Sequence, residues 1–442
     1  MRVNRRYALS LLAGSAAAAG LAACGSKKAQ PHETQTTTAT PTPSATPSWS
    51  NVKNSGGGQL SLLSSLFTDQ NSQQRYANDV LIGFFGGSAY SFTTDYTTPE
   101  RLLDTIYTGL VGADLSDLVM PGVGWVESLQ RRNVLREIPE DVLDDLQLDD
   151  RLLTGCRYQG SLRAVPYVKD LSLVAYRADL FTAAGIADPP ATLDEVRAMA
   201  KQLTTPDVQG FDPFGGSGLV STWITLLGAY GGTLFTDDGK PRFDQGQGTQ
   251  ALDFIIGLVK DGSTDPSKIP ASGASQLFVA KKAAMTLLGT GMWDSLGAAG
   301  LADMAHLGLI PMPPSQQGKD PCMLQSGTLL AVSNQSSHPE VAFEFCHYAL
   351  GKDPLQAVLG VQPGVPARSD VVSGSALQNN RILTTALTNV QYATITLGGS
   401  PAWLDLVPVI ESELMAAITG RQSSETSISN LARVVTDSIA HN

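Results

Sequence analysis

The stretch that decides the fold occupies residues 165–176 and reads VPYVKDLSLVAY. It is rich in valine, leucine and tyrosine, and it predicts extended chain over 164–175. An amphipathic helix is predicted shortly afterwards, over 192–203, so a strand and a helix follow one another. This order is typical of α/β structure, in which helices cover the faces of a sheet.

The same alternation extends from that stretch in both directions. On the N-terminal side, the patterns predict strands over 60–66, 90–96 and 117–120, and helices over 71–85, from Pro99 onward and over 123–135. On the C-terminal side, they predict a helix over 246–261, extended chain over 282–289, and a helical tail over 404–439 that is interrupted near Gly420. The predicted fold class is α/β with mostly parallel sheets.

The first 23 residues have the features of an export signal. Three arginines (Arg2, Arg5, Arg6) precede an apolar core over 7–21, which is shorter than the roughly 20 apolar residues of a membrane-spanning helix. The core ends in Leu21-Ala22-Ala23-Cys24, which resembles the lipobox of bacterial lipoproteins. That resemblance implies cleavage before Cys24, attachment of diacylglycerol and a further acyl chain such as palmitate, and a location at the outer face of the cell membrane. The alternative is an ordinary cleaved signal with an incidental cysteine.

Composition predicts a disordered linker followed by a globular body. Residues 24–58 are dominated by Thr, Pro, Ser, Gln and Gly, and they bury too little apolar surface to fold. A coil of that length has an end-to-end distance of roughly 30 Å. The whole chain has 442 residues, of which 42% are hydrophobic and 16% charged. These values are typical of a globular protein with two or more domains.

Charge and cysteine content narrow the possible partners. Without residues 1–23, the chain has 27 basic against 41 acidic residues, a net charge near −14, which argues against nucleic acid. Cys156, Cys322 and Cys346 match no zinc or redox spacing, and buried reduced thiols are favoured over a disulfide. No metal or other cofactor is predicted, because the five histidines lie far apart without a ligand spacing (His32, His306, His338, His347, His441).

Several segments, taken in order over 59–436, resemble the extracellular solute-binding proteins of ABC importers. The match is to the large sugar-binding family, which is similar to maltose-binding protein. The segments that carry it are VPYVKDLSLVAY (165–176), DLFTAAGI (179–186), PPATLDE (189–195), YGGTLF (230–235), FD (243–244), KAAM (282–285), GMW (291–293), SHPEVAFEF (337–345) and VPAR (365–368).

The resemblance implies two lobes joined by three crossing segments, near 166–171, 308–313 and 359–367. Lobe 1 is then expected over 59–167 with 312–361, and lobe 2 over 168–311 with 362–436. In such proteins a solute binds between the lobes, and the closed form is recognised by membrane permease subunits. The resemblance implies that the solute is a sugar or oligosaccharide. The expected state is a monomer held at the membrane through Cys24.

Sugar sites combine aromatic faces with polar groups that exchange hydrogen bonds with hydroxyls. Trp293 and Trp403 fall at or near family stacking positions, and Asp170 lies where the family has an acid facing the cleft. Trp223 and Trp125 are further candidates for solute contact. Packing inside a lobe is the alternative for each tryptophan, and a surface salt bridge is the alternative for Asp170.

The chain departs from the family just after Asp117-Leu118-Val119. An aromatic is expected there, but the sequence has Pro121-Gly122-Val123-Gly124, which weakens any inference of a maltose-type oligosaccharide. Asp117 is more typical of a structural residue at a strand end. Thr68 and Asp69 are weaker candidates for the site.

Three other functions are possible. An enzyme is disfavoured, because Gly215-Gly216-Ser217-Gly218-Leu219 has the wrong frame for a nucleophile elbow and the paired acids Asp149-Asp150 and Asp237-Asp238 lie in polar turns. A polyamine binder of the same fold would need several buried carboxylates, of which only Asp170 is nominated. A receptor or adhesive lipoprotein without transport partners is the third alternative.

Overall fold

The structure is a computed structural model that describes residues 47–67, 69–148, 150–213, 218–268, 277–371 and 379–441. The predicted signal, the lipidation site Cys24, most of the predicted linker and the weak candidate Thr68 lie outside the described residues. From Pro47 onward the chain forms one compact unit. None of the helices in the described ranges is long and apolar enough to cross a membrane.

Strands and helices alternate along the first half of the described chain. In order they are β1 (Gly58–Ser64), α1 (Gln70–Tyr76), a π-helical turn (Ala77–Leu81), α2 (Ile82–Phe85), β2 (Tyr90–Tyr96), α3 (Pro99–Gly112), β3 (Leu118–Val119), α4 (Val126–Gln130), α5 (Asp150–Thr154), β4 (Arg157–Tyr158), β5 (Ser161–Leu162), β6 (Val165–Leu171), β7 (Leu173–Arg177), α6 (Ala178–Ala183) and α7 (Leu193–Leu203).

The second half continues in the same way. It has β8 (Gln209–Asp212), α8 (Gly218–Ala229), α9 (Gln247–Lys260), β9 (Ala283–Leu288), α10 (Trp293–Ala298), β10 (Leu307–Ile310), β11 (Leu324–Val332), α11 (Pro339–Ala349), α12 (Lys352–Val361), β12 (Val365–Pro366), α13 (Arg381–Thr388), β13 (Ile395–Thr396), α14 (Trp403–Ile418) and α15 (Ser424–Ala440).

Local sequence explains where several helices begin and end. Asp69 caps α1, because its carboxylate accepts hydrogen bonds from the backbone N–H groups of Asn71 and Ser72. Thr192 caps α7 in the same way. Gly420, with φ +74°, lies between α14 and α15, so the predicted break in the helical tail is confirmed.

The prediction of a helix over 123–135 is wrong, because the helix that forms there is much shorter. Only Val126–Gln130 is helical, and Asn133 has φ +52°. Beyond it the chain runs beside β11, where Leu135 pairs with Ser333 and the Arg136 N–H donates to the Val332 carbonyl at 2.8 Å. Pairing with a strand therefore replaces the helix that the apolar spacing predicts.

The strands form two main sheets, which position the site. The larger sheet has the order β12-β6-β11-β3-β1-β2, and β13 pairs with β11. The smaller sheet has the order β10-β7-β9-β8. The chain passes from the larger sheet to the smaller one at Ser172, between the end of β6 and the start of β7.

The prediction of mostly parallel sheets is wrong, because both sheets are mixed. β1 is parallel to β2 and β3, but β11 is antiparallel to β3 and β6, and β6 is antiparallel to β12. In the smaller sheet, β7 is antiparallel to β9 and β10. Within these two sheets, each antiparallel pair includes a strand next to a passage of the chain between the sheets, whereas the parallel pairs β1–β2 and β1–β3 are joined through helices.

The last residues of the predicted disordered linker, 47–57, are part of the described structure. Trp49 is buried, and its indole N–H donates to the Asp141 carboxylate at 2.8 Å. Its ring lies 5.2 Å from that of His347. The Lys53 ammonium lies 4.5 Å from the centre of the Phe84 ring. Residues 47–57 therefore pack on the body rather than extend away from it.

The three described cysteines are buried and unpaired, which agrees with the prediction of reduced thiols. Burial raises the pKa of the Cys156 thiol to about 12 and that of Cys322 to about 11. Such thiols are poorly ionised at neutral pH and act as small apolar side chains.

Candidate ligand-binding cleft

Asp170 lies near the end of β6, next to the passage between the two sheets. One carboxylate oxygen accepts hydrogen bonds from the backbone N–H and the hydroxyl of Thr290, which follows β9. The other accepts from the Ser326 hydroxyl on β11 at 3.4 Å. Asp170 thus connects one segment of the smaller sheet with two strands of the larger sheet.

Burial raises the pKa of the Asp170 carboxyl, and the hydrogen bonds from Thr290 and Ser326 only partly oppose that effect. The sequence prediction of a carboxylate at a crossing segment therefore fits its position. Its oxygens are already engaged by protein donors, so the direct role of Asp170 in this conformation is to hold the segments of the cleft together.

A chamber of about 380 Å³ lies beside this junction. We call it the Trp125 chamber, and the residues that matter for its chemistry are Ser65, Met120, Gly122, Trp125, Thr328 and Gln362. None of the described residues that line it is charged. It offers an indole, hydroxyls and a carboxamide, which can both donate and accept hydrogen bonds.

Trp125 is half-buried at the wall of this chamber. Its backbone N–H donates to the Gly122 carbonyl at 3.2 Å, and its ring lies close over Gly122, where a Cβ atom would come within 2.9 Å of the indole nitrogen. The turn Gly122–Trp125 is attached to β11, because the Val123 N–H donates to the Gly327 carbonyl at 2.9 Å. Glycine at 122 therefore allows the indole to fold against its own turn.

Trp293 begins α10 and is partly buried against the smaller of the two apolar core clusters. The segment that precedes it contacts the Trp125 chamber, since a Cβ atom on Gly291 would lie 3.3 Å from the Gln362 side-chain nitrogen. Gln362 therefore lies between the segment of Trp293 and the chamber lined by Trp125.

The other two tryptophan candidates lie in the core. Trp223 is fully buried in α8, donates its indole N–H to the Gly248 carbonyl at 3.0 Å, and packs edge-on against Phe243. Its candidate role in solute contact is therefore corrected to packing, because its side chain is fully buried among apolar residues of the core. Trp403 is 3% exposed and packs edge-on against Phe235, so the structure does not bring it to the chamber.

The weaker acidic candidates are structural. Asp117 accepts hydrogen bonds from the backbone N–H and hydroxyl of Ser61 and from the Ser336 hydroxyl, which ties β3 to β1. Asp69 is the helix cap described above.

Sequence reasoning missed Ser65, Thr328 and Gln362, which line the Trp125 chamber. Only Gln362 had a usable signal, as an amide within the predicted crossing segment 359–367.

A second cavity, of about 490 Å³, lies on the far side of the Gly122–Trp125 turn. We call it the Glu127 cavity; its lining includes Gly124, Glu127, Arg157, Thr233, Phe235 and Gly398. Burial raises the pKa of the Glu127 carboxyl. Arg157 is held by two contacts to Glu140, at 2.6 and 2.8 Å.

The family model for bacterial extracellular solute-binding proteins matches residues 93–355. The chain belongs to this family. A probable ABC transporter-binding protein of Deinococcus radiodurans is 25% identical over 265 residues, which are 57% of each chain. A mannitol-binding protein of Pseudomonas aeruginosa is 30% identical over 175 residues, which are 38% of this chain and 37% of that protein. The chain thus aligns with about half or less of the length of these curated relatives.

Two solved structures show the same fold. The GacH receptor of Streptomyces glaucescens, which was solved unliganded and with acarbose, has a TM-score of 0.74 at 19% identity and covers 86% of this chain and 99% of its own. Maltose-bound MalE3 of T. maritima has a TM-score of 0.72 at 19% identity with the same coverage. These likenesses confirm the predicted two-lobed α/β architecture.

Proposed function

We propose that this chain binds a small neutral polyhydroxylated solute, a sugar or sugar alcohol, in the cleft and delivers it to an ABC permease. The observation that carries the proposal is the uncharged Trp125 chamber beside the junction of the two sheets. Its indole can stack on the C–H face of a sugar ring, while Gln362, Thr328 and Ser65 exchange hydrogen bonds with hydroxyls. The mannitol-binding relative and the structural neighbours solved with maltose and with acarbose support this class of solute.

A polyamine is the second candidate, and the chamber disfavours it. Ammonium groups taken out of water need carboxylates around them, because an unpaired buried charge is costly. The described lining of the Trp125 chamber has no carboxylate, and both Asp170 oxygens accept hydrogen bonds from protein groups. A neutral solute therefore matches the lining better.

The proposal includes release of the solute without chemical change. The relatives and structural neighbours named above are binding proteins or receptors, and the family is one of solute binding. We expect no turnover of glycosides. Formation of hydrolysis products in an assay over common glycosides would contradict this expectation.

The proposed arrangement at the membrane is a monomer tethered by lipid on Cys24. Since Trp49 packs on the body, the flexible tether is proposed to end at Pro47 rather than at Gly58. β6 stays in the larger sheet to Leu171, so we move the proposed lobe boundary from 168 to Ser172. The two lobes are proposed to close over the solute, and permease subunits to recognise the closed form.

A thermal-shift screen tests the proposed solute class. The chain from residue 24 with Cys24→Ser is mixed with mannitol, with mono-, di- and oligosaccharides, and with polyamines. A ligand at 100 times its Kd adds about 2.7 kcal/mol of stability. Stabilisation by a neutral sugar or sugar alcohol supports the proposal, whereas stabilisation by polyamines alone would refute it.

A further inference from the structure

The backbones of Gly124 and Gly398 are packed directly against each other. A Cβ atom on Gly124 would come within 2.5 Å of the Leu397 carbonyl oxygen and 2.7 Å of the Gly398 Cα. A Cβ atom on Gly398 would lie 2.6 Å from the Gly124 carbonyl oxygen. Both residues have positive φ, +89° and +80°, so neither position accepts a side chain without displacing the other segment.

Both glycines are attached to the same strand. Val123, next to Gly124, donates its N–H to the Gly327 carbonyl at 2.9 Å. Leu397, next to Gly398, donates to the Gln325 carbonyl at 3.3 Å. Gly327 and Gln325 are two residues apart on β11, so that strand holds the two segments at a fixed separation.

Hydrogen bonds further along the chain reinforce this contact. The Ser128 hydroxyl on α4 donates to the Pro401 carbonyl at 2.9 Å, and the Arg131 guanidinium donates to the same oxygen at 2.8 Å. The Leu404 N–H donates to the Ser128 hydroxyl at 3.3 Å. The segment that follows Gly398 is therefore fastened to the helix that follows Gly124.

The contact lies between the two cavities of this region. Gly122 and Trp125 line the Trp125 chamber, whereas Gly124 and Gly398 line the Glu127 cavity. The two described linings have no residue in common. The gap beside this contact is a third cavity of about 30 Å³, which shares Thr328 with the Trp125 chamber and Thr396 with the Glu127 cavity. It has room for about one water molecule and not for a sugar ring, so the backbone contact acts as a wall at this point.

We propose that the Gly124–Gly398 contact limits the solute to one or two sugar rings. The inference rests on the proposed function, because it takes the Trp125 chamber as the sugar site. At about 380 Å³ the chamber is near the lower end of the roughly 300–1,000 Å³ of small-molecule sites. A longer oligosaccharide that extended from Trp125 past the Gly122–Trp125 turn would meet Gly124 and Gly398. Gly122, Val123 and Gly124 form the turn that makes this wall possible.

The test measures affinity as a function of sugar length. Calorimetric titrations use the mature chain with Cys24→Ser and two series: glucose, maltose and maltotriose, and mannose, mannobiose and mannotriose. We expect binding of the first one or two members of a series and at least tenfold weaker binding of the trisaccharide. The same titrations are repeated with Gly398→Ala, which pushes the two segments apart. We expect this variant to reduce the ratio of the trisaccharide Kd to the disaccharide Kd at least threefold.

Gly399→Ala is the matched control. Gly399 has φ +92°, so alanine there carries a similar backbone strain, but its Cβ would have the Phe235 ring at 3.8 Å, an ordinary contact. We expect this variant to keep the length preference of the parent. Equal or tighter binding of the trisaccharide by the parent overturns the size limit and leaves the proposed function standing, and this comparison holds even when Gly398→Ala does not fold. An unchanged length ratio in folded Gly398→Ala also overturns it. Binding of none of these sugars overturns the size limit, whereas the proposed function itself fails only when mannitol and the other neutral sugars of the thermal-shift screen do not bind either.

Discussion

Thr290 donates two hydrogen bonds to Asp170, one from its backbone nitrogen and one from its hydroxyl. Asp170 lies in β6 of the larger sheet, whereas Thr290 lies in the short helical turn that follows β9 of the smaller sheet. Thr290 is fully buried. The pair therefore links the stability of the sheet junction to the geometry of the site.

Thr290→Val should lower the free energy of unfolding by about 1–3 kcal/mol, because it removes a buried donor and leaves a carboxylate oxygen with less than its full set of partners. Thr290→Ser is the control, since it keeps the hydroxyl and loses only a methyl group. Urea unfolding measures both. A valine variant as stable as the parent would show that the hydroxyl contributes nothing to the junction.

The raised pKa of Asp170 predicts a pH dependence with a definite sign. The Asp170 carboxyl holds its proton more strongly in the folded state than in the unfolded chain, where its pKa is 3.8. Between pH 3.8 and the folded pKa, the folded state therefore holds more protons than the unfolded state. The free energy of unfolding then falls as the pH rises through that window. Asp170→Asn has no such titration, so the stability of the parent relative to this variant should decline there. A rise in the same window would contradict the assignment.

Trp125→Ala should weaken sugar binding by about 1–3 kcal/mol, the range for aromatic residues that anchor a ligand. Trp125→Phe keeps an aromatic face and should retain most of the affinity. Trp223→Phe tests a tryptophan outside the proposed site, because Trp223 is fully buried in the core and donates its indole N–H to the Gly248 carbonyl. It should lower the melting temperature and leave affinity unchanged. Titration calorimetry and thermal unfolding separate these effects, and unchanged affinity in Trp125→Ala would remove Trp125 from the site.

Residues 47–57 should contribute to stability rather than act as linker. A chain that begins at Gly58 loses the buried Trp49 and its hydrogen bond to Asp141, so it should unfold at a lower temperature than one that begins at Pro47. Trp49→Ala in the longer chain should cost about 3–5 kcal/mol if the site does not collapse around the gap. Equal melting temperatures for the two chain lengths would show that this segment is not docked.

The sequence predicted the elements better than it predicted how they pair. The alternation around residues 165–176 and the break at Gly420 were confirmed, because apolar period and glycine conformation are local properties. The direction of β11 was not predictable in that way. It depends on where the chain returns from the smaller sheet, and that same pairing also replaced the helix expected over 123–135.

The candidate site was also only partly predictable from the sequence. Asp170 and Trp125 were candidates from the sequence, the first for its position in the predicted crossing segment and the second for its place after β3, and their roles in binding stay predictions. Trp223 was misassigned because a tryptophan on an apolar helix has the same sequence signature whether it faces a cleft or the core. Ser65 and Thr328 are ordinary strand residues, and only the assembled fold places them at a common chamber.

Recovery of the bound solute tests the central claim most directly. The mature chain with Cys24→Ser is saturated with a neutral sugar or sugar alcohol, freed of excess, unfolded, and the released compound is identified by mass spectrometry. The account predicts one equivalent of the supplied compound, chemically unchanged, and less of it from Trp125→Ala. Release of a cleaved product, or retention of polyamines but of no neutral sugar or sugar alcohol, would contradict it.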